Sequence, residues 1–156
     1  MIDRTLVFLL AFVPALAAAS TTCSFSSTPG ESFGAYDDSS ASPTDAATSI
    51  IVSCARVGGP GPVTVTLQAG PSANSGLIST RTMRSGASSL NYNLYRDAAR
   101  SQVWGQTSGV DTGSVSIFIN NNATANGTFV IYGRIPAQQN VQAGTYSDTV
   151  QITVAP

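Results

Sequence analysis

The stretch "YGRIPAQQNVQAGTYSDTVQITVAP", Tyr132–Pro156, decides the fold. Near its end Val150, Ile152 and Val154 are apolar while Gln151 and Thr153 are polar. That is the period-two pattern of a strand with one face buried. The alternation runs almost to Pro156, where a soluble domain more often carries a polar tail. What covers such a strand is the question the rest of the sequence has to answer.

Working outward, alternation recurs along the chain, and no helical stripe longer than two turns interrupts it. Cys23 and Phe25 alternate with Thr22 and Ser24. In "TSIIVSCARV" the inward set is Ile50, Val52 and Cys54; in "VTVTL" it is Val63, Val65 and Leu67. "LNYNLY" places Leu90, Tyr92 and Leu94 on one face, and "SVSIFI" does the same for Val115, Ile117 and Ile119. "TFVIYGRI" is apolar on both parities, Phe129 and Ile131 against Val130 and Tyr132, which predicts a central strand covered twice. Between these runs, "TPGESFGAYDDSSASPTD", "GGPGPV" and "NNNATANG" read as loops and turns. About seven or eight short strands bounded by turn signals predict an antiparallel β-sandwich.

The first nineteen residues read differently. Arg4 precedes the apolar run "LVFLLAFVPAL", too short to span a bilayer, and "AAA" at 17–19 offers a cleavage site. Residues 1–19 are therefore expected to be a signal peptide and residues 20–156 one exported domain, with no integral membrane segment after cleavage. Cys23 and Cys54 then form an even pair in an oxidising compartment and are expected to be a disulfide worth about 3–4 kcal/mol. Two free thiols or a metal site is the alternative, but no histidine is available to complete a zinc set.

Composition narrows the function. Charged residues are 10% of the chain and lysine is absent, so no dense positive field exists to attract nucleic acid or anionic lipid. Without histidine the usual nucleophile–base pairs lack their base. Asp37 and Asp38 are neighbours, which on extended chain point to opposite faces and fit a solvated turn better than a general acid/base pair. No catalytic, cofactor or metal residue is expected. "NAT" at Asn122 and "NGT" at Asn126 match the glycosylation acceptor pattern, and equally fit polar turns. Trp104 is either a ligand platform or a core residue. Asp148 shares parity with Val150, so either the strand begins after it, or a bulge re-aims it, or a cation such as Arg134 pairs with it.

The motifs "FGAYD", "VSC", "RTM", "LNYNLYRD", "VWG", "YGRIPAQQ" and "AGTYSDTV", in this order and over residues 23–154, resemble the spore coat protein U domain family. That family includes the pilin subunits of archaic chaperone–usher pili such as the Csu pili. The resemblance implies an incomplete immunoglobulin-like sandwich lacking its last strand, whose apolar groove is filled by donor-strand complementation. A periplasmic pilus chaperone, an outer-membrane usher and neighbouring pilus subunits are the implied partners, and surface attachment and biofilm formation the implied role. Val150, Ile152 and Val154 would border the groove, and Tyr92, Tyr132 and Tyr146 would be packing or hydrogen-bonding residues. With cleavage after Ala19 only "STT" precedes Cys23, too short an arm to donate a strand. This points to a minor or terminal subunit. A free-standing secreted coat or matrix protein, and a carbohydrate-binding adhesin module using Trp104, are the rival readings.

Overall fold

The computed structural model describes residues 19–156, so the expected leader lies, but for Ala19, outside the described residues. Eight strands follow in order: β1 (Ser20–Ser27), β2 (Thr44–Val57), β3 (Gly61–Ser72), β4 (Arg81–Ser85), β5 (Ser88–Tyr95), β6 (Gly113–Ile119), β7 (Ala123–Ile135) and β8 (Val150–Ala155). They form a five-stranded sheet, β1-β2-β7-β5-β4, and a three-stranded one, β6-β3-β8. Every strand pair is antiparallel. The all-β, two-sheet fold is the one the alternation predicts. Among the described residues no helix is long and apolar enough to cross a membrane.

The core lies where the expected inward sets meet. Ile50, Val52 and Cys54 of β2, Val65 and Leu67 of β3, and Ile119 of β6 are all fully buried. Cys54 sits directly opposite Cys23 in the β1–β2 register, and the two are disulfide-bonded, S–S 2.06 Å. The bond staples an edge strand to its neighbour within one sheet. β6 can lie close on β7 because each strand presents a glycine to the other. A Cβ on Gly127 would come within 2.7 Å of Ile117 Cδ1, and one on Gly113 would strike the Phe129 ring.

Trp104 is fully buried in this core, its ring 5.0 Å from that of Phe129 and its Nε1–H donating to Leu67 O at 3.0 Å. Beside it stands Arg81, also fully buried. The β3–β8 register slips between Ala69 and Ser72, where Pro71 lacks a ladder donor. Arg81 Nη2 donates to Gly70 O (2.8 Å), Ala69 O (3.3 Å) and Trp104 O (2.8 Å), and Nη1 donates to Asn93 Oδ1 (2.7 Å). One cation thus holds carbonyls that the slip would leave unpaired, and ties β3, β4 and β5 to the Trp104 segment.

Two expectations need correction. β7 is central, between β2 and β5, yet only one of its faces is deeply covered. Phe129 and Ile131 are buried, whereas Val130 is 38% exposed and Tyr132 is half-buried beneath the Arg100 guanidinium, 5.7 Å above its ring. "NNNATANG" is a loop only at its start, because β7 begins at Ala123 and Gly127 is a buried strand residue. Asn122, at φ 53°, makes the turn. Of the three alternatives for Asp148 the structure takes the first, since β8 begins after it, at Val150. Arg134 pairs instead with Asp45, through Nε at 2.7 Å and Nη2 at 2.8 Å.

Candidate partner-binding groove

The two sheets differ by two strands, so the smaller cannot cover the whole inner face of the larger. The uncovered part lies beside β8. That strand ladders with β3, Val154 opposite Leu67, Ile152 opposite Ala69 and Val150 opposite Ser72, and with no other strand among the described residues. Its β3 partners Leu67 and Ala69 are fully buried and Ser72 nearly so, while Val150, Ile152 and Val154 are only half-buried. Adjacent strands with the same inward pattern thus differ in what covers them.

A cavity of about 540 Å³ opens there. Phe25, Thr48, Ile131, Leu94 and Tyr92 supply its inner wall, and Val150 and Ile152 line it from β8. Val154 has the same parity but lies beyond the lining of this cavity. Met83 and residues 146–149 close one side. The other is the Thr28–Glu31 segment with Phe33, which leaves β1 and crosses without joining a strand. A second cavity, of about 600 Å³, continues on the far side of this segment toward Leu90, Ile135 and Val141. Glu31, Phe33, Met83 and Tyr146 border both.

The crossing segment is held by few contacts. The Phe33 ring meets Tyr92 edge-on, centroids 5.8 Å apart at 71°. Gly133 of β7 makes room beneath it, since a Cβ there would fall 2.6 Å from the Phe33 ring and 3.2 Å from Glu31 Oε1. The Tyr36 hydroxyl donates to Pro136 O at 3.0 Å and accepts from Gln139 N–H at 2.8 Å. Tyr92 donates its hydroxyl to Asp148 Oδ2 at 2.8 Å, and burial with that carboxylate raises its pKa. Asp148 also accepts from Asn74 N–H at 3.3 Å, before β8 starts at Val150, so it is a turn contact at the groove's rim. Tyr146 Oη lies 2.6 Å from Ser88 Oγ and 2.7 Å from Gln142 O.

One group in the groove is not satisfied. Both oxygens of Glu31 are shielded from solvent and have no hydrogen-bond partner. Loss of hydration pushes its pKa up to about 7, against a lesser opposing pull from Arg100. Arg100 is engaged elsewhere, with Gly133 O at 3.0 Å, Ala46 O at 3.1 Å and Asp45 Oδ1 at 3.3 Å. Sequence reading missed Glu31 because "TPGESFG" has the composition of a loop. The usable signal was Phe33 and Tyr36, two aromatics in an otherwise polar run. Among the described residues no three or more His, Cys, Asp or Glu side chains come together to hold a metal ion.

Comparison with known proteins bears on the family and the fold. The pattern of the Spore Coat Protein U domain family matches residues 9–153. "Protein U" of Myxococcus xanthus is 39% identical over 79 residues, which is 49% of this chain and 41% of that protein, so the match spans less than half of the relative. Among solved structures, a chain of the CsuC–CsuE chaperone–tip adhesion subunit pre-assembly complex, from the archaic chaperone-usher Csu pili of Acinetobacter baumannii, shares the fold. Its TM-score is 0.51 at 21% identity, over 86% of this chain and 39% of that one.

Proposed function

The chain belongs to the Spore Coat Protein U domain family, and we propose that it is an exported structural subunit of an archaic-type chaperone–usher pilus, completed by a strand from another polypeptide. The observation that carries this reading is the contrast along β3 and β8. Inward residues of β3 are sealed, while Val150 and Ile152 face a cavity of about 540 Å³ with one edge of their strand unladdered among the described residues. A guest strand on that edge gains backbone hydrogen bonds, and its alternate side chains fill the cavity. Val150, Ile152 and Val154 are its proposed neighbours. Unfilled, the same edge invites aggregation, so the protein needs a chaperone before assembly.

The partners in this reading are a periplasmic chaperone, an outer-membrane usher and neighbouring subunits, and the destination is the cell surface. Adhesion and biofilm formation are the proposed role. The A. baumannii structure is that of a chaperone–subunit complex, which supports the reading. A mature start at Ser20 would make this chain a minor or terminal subunit. Mass spectrometry of the exported protein tests that position, with the mass of residues 20–156 expected.

The main test is thermal melting of the purified protein with peptides of about ten residues that alternate apolar and polar positions. Melting temperature should rise with peptide concentration, as binding to the folded state requires. Ile152→Asp should remove the response, and Gln151→Asp, on the exposed parity, should keep it. A stable monomer indifferent to every such peptide would overturn the proposal. That outcome would favour a free-standing coat or matrix protein, a reading in keeping with the family's name, Spore Coat Protein U domain.

A further inference from the structure

The acids of this chain are mostly satisfied by its own groups. Asp37 accepts from Ser39, Asp45 from Arg134, Asp97 from Ser101 and Gln102, Asp111 from Thr107, and Asp148 from Tyr92. Glu31 is different: its two shielded oxygens accept nothing. An unpartnered carboxylate in an apolar cleft costs the isolated chain stability, because the charged form has lost its water. Its place is equally unusual. Glu31 borders both cavities, so a strand threading the groove from β8 toward Ile135 must pass it.

Resting on the strand-accepting reading, we propose that Glu31 is a specificity-determining residue, and that the groove takes a guest strand whose apolar face carries one lysine or arginine at the register meeting this carboxylate. Charge complementarity argues for it. The surrounding lining, Phe25, Phe33, Met83, Leu94 and Ile131, offers no cation. Other polar neighbours, Tyr92, Tyr146 and Asp148, are engaged with one another or with Ser88 and Gln142. Arg100, the cation acting on Glu31 from outside, spends its donors on backbone and Asp45. A guest cation would form a charge-assisted hydrogen bond in a site shielded from water, where such bonds are strong. A wholly apolar strand would leave the carboxylate stranded, so the same residue penalises the wrong guest. At pH 8 the carboxylate, with its pKa raised to about 7, is ionised and ready to discriminate.

The test uses the full mature protein and peptides of about ten residues with alternating valine and threonine. Each inward position in turn is made lysine or norleucine, and affinity is measured at pH 8. One register should favour lysine over norleucine by about tenfold, the scale of a charge-assisted bond. Glu31→Gln should level the two peptides while still binding the norleucine form. If norleucine peptides bind and no register prefers lysine, this inference falls and the strand-accepting reading stands. If no peptide of either kind binds, both fall together.

Discussion

The sandwich has a sealed half and an open half, built from the same kinds of residue. In the sealed half Trp104 and Arg81 are fully buried, and Arg81 meets four acceptors, with its Nε alone left without one. In the open half Phe33 and Glu31 lie on the same inner face, with one edge-on aromatic contact and two unmet carboxylate oxygens. An aromatic and a charged group appear in each. What separates them is coverage: a second sheet lies over the first pair, a cavity beside the second. Burial gains stability only when the neighbours close in and polar atoms find partners.

That contrast can be broken or sharpened by mutation. The largest effect is expected from Trp104→Ala, which should cost about 3–5 kcal/mol in urea unfolding by removing a packed ring. A loss under about 1 kcal/mol would show that the sealed half is not the seat of stability. Replacing both Cys23 and Cys54 by alanine should cost about 3 kcal/mol by freeing the unfolded chain, with the C-terminal half of the sandwich unaltered. Phe33→Ala should cost only about 1 kcal/mol, since an open site relaxes and fills with water more cheaply than a closed one. Equal losses for Phe33→Ala and Trp104→Ala would erase the distinction between the halves.

Glu31→Gln carries the smallest effect and the opposite sign. Glu31 holds its proton more tightly in the folded state, about 7 against 4.5, so its share of stability is greatest below pH 4.5 and falls as pH rises through 7. A glutamine cannot ionise. The variant should therefore melt higher than the parent at pH 8, with the difference shrinking toward pH 4.5. The other titratable groups around the site, Arg100, Tyr36, Asp38, Tyr92, Tyr146 and Asp148, are present in both proteins. A variant that melts lower at pH 8 would mean that Glu31 has a partner in solution.

The strands were largely legible in the sequence, and the segment crossing the open half was not. Period two alone places Ile50, Val52 and Cys54, then Val63, Val65 and Leu67, because on a strand parity decides the face. The same rule turns Leu90, Tyr92 and Leu94 inward, where they wall the open cavities. Val130 and Tyr132 misled, since an outward aromatic beneath Arg100 looks in sequence like one bound for the core. Arg81 was invisible as a core residue because arginine is buried so rarely; only the bulge at Gly70–Pro71, seen in three dimensions, explains it. Glu31 was hidden because no periodicity marks a segment that crosses between strands without joining one. Of the three β8 residues expected at the groove, Val150 and Ile152 border the larger sheet's open cavity.

The Cys23–Cys54 bond also bears on how the molecule would behave under tension. Thirty-one positions separate the two cysteines, and a covalent tie between them keeps that length from being drawn out. At roughly 3.3–3.6 Å per residue, a stretched oxidised molecule would yield on the order of 100 Å less than a reduced one. Under load the oxidised chain would therefore reach its full length sooner, and a reductant would lengthen it.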